Sequence, residues 1–361
     1  MSDSSPAYFT IHNQLADRLL DRSHQLAGVP AGDRDAVLAT ALDAVPRAAA
    51  LLRPYNRLFP DGDSSASRLA FSCLSAAATF PRADAGRVAD LGTLTTILFG
   101  VDDIADGITG GITDGPAGGV AGGLTAGSGG VSPDGVAELF DRMAAALAGS
   151  PPPTGDGPVG EALRAWSAWC ERWYGHAASA GYAPVLADQL SIAGAAMARE
   201  RAWATGERPW PGYEPYLANG RITILYHAWW LAALPLCGPP GAPEEHWRAL
   251  EPVLDLGAAC LRLANDLRTF ERERREGKPN AVLILERGGL DVPAAVERVK
   301  GHLAGLGREL AAGLAALPAA LAGAADGQRR SVAFNGGWYL ARDTHAYTVR
   351  DLARDAEGHR G

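Results

Sequence analysis

Residues 253–276 read VLDLGAACLRLANDLRTFERERRE. The first part, Val253 to Leu263, is mostly apolar at helical spacing. Asn265, Thr269 and Glu273 then stand at i, i+4 and i+8, which puts them on one helix face over two turns. An amide oxygen, a hydroxyl and a carboxylate are hard donors. Together they can hold one Mg²⁺ and leave coordination sites for phosphate and water. A solvated helix face has a similar composition, but this stripe interrupts a helix whose preceding turns are apolar enough to be buried.

A second acidic element lies upstream. Asp102-Asp103-Ile104-Ala105-Asp106 ends a predicted helix over 84–106. Asp102 and Asp106 are four apart and Asp103 and Asp106 three apart, so all three project to one side. Carboxylates repel one another, and the helix dipole also disfavours negative charge at a C-terminus. A hard cation such as Mg²⁺ relieves both costs. Taken alone, the motif reads equally as an exposed acidic cap.

The rest of the chain is Ala/Leu-rich with helical spacing and almost no strand-like alternation. Helices are predicted over 11–27, 34–52, 65–79, 134–148, 159–180, 183–205, 213–236, 243–276, 279–288, 292–323 and 327–342. The expectation is an all-α bundle around a central cavity, one domain over residues 1–361. Residues 107–135 hold 12 glycines, and fixing such a segment is entropically costly. The segment reads either as a tolerated surface insertion or as a mobile lid, since it starts directly after the acidic run.

Bulk properties narrow the function classes. The 361 residues are 47% hydrophobic and carry a formal charge of −8, which argues against nucleic acid as partner. Only two of the 33 basic residues are lysines, Lys278 and Lys300. Cys73, Cys170, Cys237 and Cys260 form no CxxC pair, so buried free thiols and a reducing cytoplasm are expected. The first residues, MSDSSPAYFTIHNQL, lack the pattern of a signal peptide, and no apolar run is long enough for a membrane span. No zinc-type His/Cys spacing and no Gly-rich phosphate loop occur.

The pair DDIAD and NDLRTFERE resembles the aspartate-rich and NSE-type metal motifs of bacterial class I terpene synthases, in order and in separation. Asn280 in KPNAVLIL matches the asparagine–hydrophobic stretch that often follows the second motif. The resemblance spans residues 65 to about 350. It implies a helical fold in which the two motifs face each other across a cavity mouth, with three Mg²⁺ ions and a prenyl diphosphate between them. Asp102 and Asp106 would hold two ions, and Asn265, Thr269 and Glu273 the third. Asp103 would act behind them.

Loss of diphosphate needs neutralisation of the departing charge, by Mg²⁺ and by arginine. By the resemblance, Arg221 would sense the diphosphate and Arg272 would contact it. Leu225 would present a backbone carbonyl at a helix break, a position where the family commonly has glycine. The family's C-terminal Arg-Tyr pair is replaced here by Arg342-Asp343 and Arg350-Asp351 with Tyr347 nearby, and Arg350 is the preferred contact. Aromatic faces stabilise positive charge. Phe99, Tyr226, Trp229 and Trp338 are the candidate walls, with Trp230, Phe334 and Tyr339 close in sequence.

The expected reaction is ionisation of an allylic diphosphate, geranylgeranyl or copalyl type favoured, followed by cyclisation to a diterpene. Rival readings are a synthase acting on farnesyl diphosphate, a prenyl-chain elongating enzyme and a non-catalytic helical scaffold. The absence of a second DDxxD speaks against elongation. The absence of DxDD means that a bicyclic substrate would come from a separate class II cyclase. A homodimer is the expected assembly if the chain follows its family.

Overall fold

The computed structural model describes Leu26 and residues 28–59, 63–107, 131–151, 157–341 and 348–358. These residues form helices and their connections, with no strand among them, as the apolar periodicity requires. The helices are α1 (Arg34–Leu52), α2 (Asp63–Thr79), α3 (Ala85–Ala105), α4 (Pro133–Leu147), α5 (Pro158–Trp173), α6 (Ser179–Ala204) and α7 (Tyr213–Thr223). They continue as α8 (Tyr226–Cys237), α9 (Pro243–Glu276), α10 (Ala281–Arg287), α11 (Val292–Ala315), α12 (Ala322–Ala341) and α13 (Val349–Gly358). Several starts are set locally. Asp84, Ser132, Asn280 and Asp291 each accept a backbone N–H of the first turn of α3, α4, α10 and α11.

The organising element is α9, 34 residues long and therefore about 50 Å. It begins with Pro243 at its first position and ends at Gly277, which takes the left-handed conformation at φ 70°. Its middle turns are buried on opposite sides. Leu250, Val253, Leu254, Ala258 and Leu261 join one apolar cluster, built largely with α1 to α6 and α8. Ala259, Cys260, Leu263, Leu267 and Phe270 join a second, built with α7, α10 and α11. Each such large side chain contributes about 1.5–3 kcal/mol on burial. The metal-type stripe thus sits on a helix that packing holds from two sides.

Two glycines let neighbours approach α9. A Cβ at Gly257 would lie 2.9 Å from Tyr226 Cε1 and 3.0 Å from Gln328 Nε2, so α8 and α12 close on α9 there. A Cβ at Gly220 would lie 2.9 Å from Arg262 Cγ, which brings α7 in as well. Between those approaches the expected helix over 213–236 is broken into α7 and α8. Leu225 sits at the break with φ 56° and ψ 18°, the non-glycine residue with positive φ among the described residues. For a leucine that conformation costs about 1–2 kcal/mol. No glycine or proline marks the position, so tertiary packing overrides the local preference for a continuous helix.

Other expected boundaries shift for simpler reasons. The helix over 159–180 ends at Trp173, and the next begins at Ser179 rather than 183. The helix over 292–323 stops at Ala315, shortly before Pro318, whose ring disfavours helix in the residue before it. The following helix begins at Ala322 rather than 327, and α13 was not anticipated. The helix over 11–27, apart from Leu26, and residues 108–130 of the Gly-rich segment lie outside the described residues. Among the described residues, no single helix is long and apolar enough to cross a membrane.

Gly257→Ala therefore overfills the α8–α9–α12 contact and is expected to cost about 1–3 kcal/mol in urea unfolding. Gly301→Ala, in α11 with open space around its Cβ position, is expected instead to stabilise by about 0.5–1 kcal/mol.

Candidate active site and metal centre

A cavity of about 490 Å³ opens between α2, α3, the α7–α8 break, α9 and α12, within the range of small-molecule sites. Each helix contributes one face. From α9 come Leu261, Arg262, Asn265, Arg268, Thr269, Arg272, Arg275 and Glu276. From α3 come Thr95, Leu98, Phe99, Asp102 and Asp103, followed by Asp106 at its C-cap. Arg68, Phe71 and Ser75 (α2) and Ser331, Asn335 and Tyr339 (α12) complete the walls with Thr223 to Tyr226 and Trp229. The lining changes character along α3 and α9, from apolar and aromatic to charged towards their C-termini. Lys278 joins the two charged ends directly, with its Nζ 2.9 Å from Asp106 Oδ2 and 3.2 Å from Glu276 Oε2.

The acidic side chains of the two motifs are held differently. Asp103 is gripped by Arg68 through two hydrogen bonds, Nη1 to Oδ2 and Nη2 to Oδ1 at 3.1 Å, and is thereby turned from the role of free ligand. Asp106 pairs with Lys278, and its carbonyl accepts from Arg201 Nη1 at 2.8 Å. Asp102 has no cation at ion-pair distance among the described residues. Its side chain is exposed at the rim of the cavity. Desolvation by the protein atoms crowded near it, and then the charges of Asp106 and Asp103, still push its carboxyl above the usual range, although Lys278 works against this.

On α9, Asn265 and Thr269 face the cavity, and the Thr269 hydroxyl donates to the Asn265 carbonyl at 3.0 Å. Glu273 is only 8% exposed and lines a smaller connected recess of about 110 Å³ with Asp102, Asp106 and Asn265. Asn280, fully buried, donates from Nδ2 to Glu273 Oε2 at 2.7 Å and to the Asp266 carbonyl at 3.0 Å, and its Oδ1 caps α10 at Val282. Burial, followed by the charge of Asp266, raises the Glu273 carboxyl to about 7. Asp266, next to Asn265, turns the other way. It accepts from the Tyr216 hydroxyl at 2.9 Å, from the Ala281 N–H at 3.1 Å, and pairs with Arg262 at 3.0 Å.

Among the described residues, no three His, Cys, Asp or Glu side chains gather closely enough to hold an ion alone. The donors nevertheless fit Mg²⁺ by kind. Asn265, Thr269 and Glu273 offer three hard oxygens on one side and Asp102 and Asp106 carboxylates on the other, with phosphate and water available to complete a shell.

Several expected residues lie elsewhere. Arg221 does not line the cavity; its guanidinium faces Asp255 at 3.6 Å. Trp338 stands one layer behind the wall, its ring 5.1 Å from that of Phe71. Arg350 is exposed on α13, away from the cavity lining, and Arg342 and Tyr347 lie outside the described residues. Arg272, Leu225, Tyr226, Trp229 and Phe99 do line it. The Trp229 indole is fixed by donating to Thr95 Oγ1 at 2.9 Å. Missed from sequence were Arg68, Phe71, Arg262, Arg268, Arg275 and Lys278. The register was readable for some: Arg262 and Arg268 flank Asn265 on its own helix face, and Lys278 is one of two lysines.

Residues 128–306 match the family described as "Terpene synthase family 2, C-terminal metal binding". The match contains all of α9 but not Asp102 to Asp106. Ent-kaurene synthase-like 1 of Ricinus communis is 32% identical over 134 residues, 36% of this chain and 17% of that protein. The chain thus spans about a sixth of that relative's length. Among solved structures, 2-methylisoborneol synthase from Streptomyces coelicolor A3(2) superposes with a TM-score of 0.65 at 15% identity, over 86% of this chain and 92% of the other. Linalool/nerolidol synthase from Streptomyces clavuligerus, in complex with 2-fluorogeranyl diphosphate, gives 0.58 at 19% identity, over 82% and 91%. The fold is that of the class I terpene synthases.

A raised Glu273 carboxyl has a thermodynamic sign. The folded protein holds that proton more tightly than the unfolded chain, so the contribution is present at low pH and is lost as pH rises from the ordinary carboxylate range through about 7. Metal-free protein should therefore lose melting temperature between about pH 5 and pH 8. Glu273→Gln should lose less, and Mg²⁺ with pyrophosphate should raise the wild-type midpoint most at the upper end.

Proposed function

We propose that this chain, a terpene synthase-family protein by its metal-binding region and fold, ionises an allylic prenyl diphosphate and cyclises or rearranges the cation, releasing pyrophosphate. The observation that carries the reading is the meeting of two oxygen-rich helix ends at one mouth of a cavity that also presents Phe71, Phe99, Tyr226, Trp229 and Tyr339. Asp102 and Asp106 would hold two Mg²⁺ ions there, and Asn265, Thr269 and Glu273 a third. When bound, these ions supply Lewis-acid neutralisation of the departing diphosphate.

The chain's own groups do the rest. Arg272, with Arg268, Arg275 and Lys278 on the same rim, supplies hydrogen-bond donors to phosphate oxygens. Arg68 fixes Asp103 and so the end of α3, and Asn280 fixes Glu273. Phe71, Phe99, Tyr226, Trp229 and Tyr339 exclude water and present ring faces to positive charge. Proton loss or water capture then ends the reaction. Arg221 and Arg350 would contribute only after moving from their present positions.

A C20 substrate, geranylgeranyl or copalyl-type diphosphate, is favoured, supported by the partial likeness to ent-kaurene synthase-like proteins, ent-kaurene being a diterpene. A copalyl-type substrate would come from a separate class II cyclase. Farnesyl diphosphate is the second reading, supported by fold likeness, over 82% of this chain, to a linalool/nerolidol synthase, nerolidol being a C15 alcohol. The same reading takes residues 1–361 as one helical domain acting in the cytoplasm, able to pair as a homodimer.

Purified protein given Mg²⁺ and farnesyl, geranylgeranyl or copalyl diphosphate separately, with products read by gas chromatography–mass spectrometry, should convert one of them to a hydrocarbon or alcohol. Asp102→Ala and Asn265→Ala should each lower turnover by about 100-fold or more with helical circular dichroism intact. Full activity in both variants would refute the metal assignment.

A further inference from the structure

Asp255 lies outside both acidic motifs and does not line the cavity, yet it touches both sides of the α7–α8 break. Its Oδ2 faces Arg221 Nη1 at 3.6 Å, in the last turn of α7. Its Oδ1 meets His227 Nε2 at 3.1 Å, in the first turn of α8. Between these two contacts stands Leu225 in the left-handed region. There the Leu225 N–H bonds to the Ile222 carbonyl at 3.0 Å, where a regular α-helix would use that of Arg221. Thr223, Ile224, Leu225 and Tyr226 all line the cavity, so the shape of the break is part of the shape of the site.

We propose that Asp255 is a positioning residue: its carboxylate clamps α7 to α8 across the break and holds Leu225 in a conformation that leucine does not adopt by itself. The two arms are unequal. The pair with Arg221 is long and partly solvated, so screening weakens it. His227 is buried and its imidazole packs edge-on to Trp247 at 6.0 Å, so the hydrogen bond to Asp255 is the stronger arm. Burial works against the Asp255 charge, but the His227 hydrogen bond and Arg221 outweigh it and hold the carboxyl below its usual range. The nearby approach of Tyr226 to Gly257 brings the start of α8 against the same stretch of α9.

Strain at a leucine and the clamp that maintains it must be coupled, because glycine takes the left-handed conformation at no steric cost. The test is a double-mutant cycle of Asp255→Ala and Leu225→Gly, with Asp255→Asn as the shape-conserving variant. Asp255→Ala alone should lower the melting temperature less than it does in the Leu225→Gly background, because release of the leucine strain returns part of the loss. Asp255→Asn, which can still accept from His227, should fall between Asp255→Ala and wild type. This stability readout stands without the proposed activity, which wild-type turnover tests separately.

The kinetic arm rests on the proposed function. Asp255→Ala should lower kcat by roughly 10- to 100-fold through misplacement of the cavity-facing segment. KM for the diphosphate substrate should change far less, and Leu225→Gly/Asp255→Ala should recover most of the kcat. Additive effects on melting temperature, or a double variant no faster than Asp255→Ala, would overturn the proposal.

Discussion

Like charge concentrated at the ends of two helices is the constraint on which the remaining structure depends. The C-termini of α3 and α9 meet at one cavity mouth, already carrying the negative ends of their dipoles, and each adds carboxylates there. Lys278 and Arg68 neutralise Asp106 and Asp103. Asp102 and Glu273 keep raised carboxyls. An arrangement that costs stability persists only if the surrounding packing over-determines it. Burial of α9 on both sides and the Asn280–Glu273–Asp266 hydrogen bonds provide that here. Under the proposed function, a divalent cation and a diphosphate entering together would return that cost.

The division of the cavity follows from the same helices. Polar and charged side chains occupy the C-terminal turns of α3 and α9, and the preceding turns present Phe99 and Leu261. A substrate with a charged head and an apolar tail can therefore enter in one orientation. The aromatic wall is buttressed in depth: Phe71 faces the cavity while Trp338 and Phe334 pack behind it, with centroids 5.1 and 6.1 Å from its ring. Leu225, the strained leucine, also lines the cavity, where side-chain size and backbone shape both bear on how a folded chain would fit.

What could be read from sequence was whatever repeats within one element. The span of α9 came out to the residue, since Pro243 and Gly277 punctuate a long periodic segment. The stripe of Asn265, Thr269 and Glu273 is a property of one helix, and so is the DDIAD cluster. Less legible were features decided between elements. Nothing local at Leu225 announces a break, because the close approaches at Gly220 and Gly257 and the Asp255 clamp belong to three different segments. Arg221 has the spacing of a phosphate contact but faces Asp255. Arg68 takes up its role only because α2 packs beside α3, and Lys278 only because two helix ends converge.

The most direct test is calorimetric titration of the protein with inorganic pyrophosphate, with and without Mg²⁺. If the two helix ends form one site for cation and diphosphate together, we expect tight binding only when Mg²⁺ is present. Asp102→Asn and Asn265→Ala should each weaken it, although they stand on different helices. Equal binding without Mg²⁺, or binding indifferent to both substitutions, would contradict a shared metal–diphosphate site and leave the cavity without its proposed chemistry.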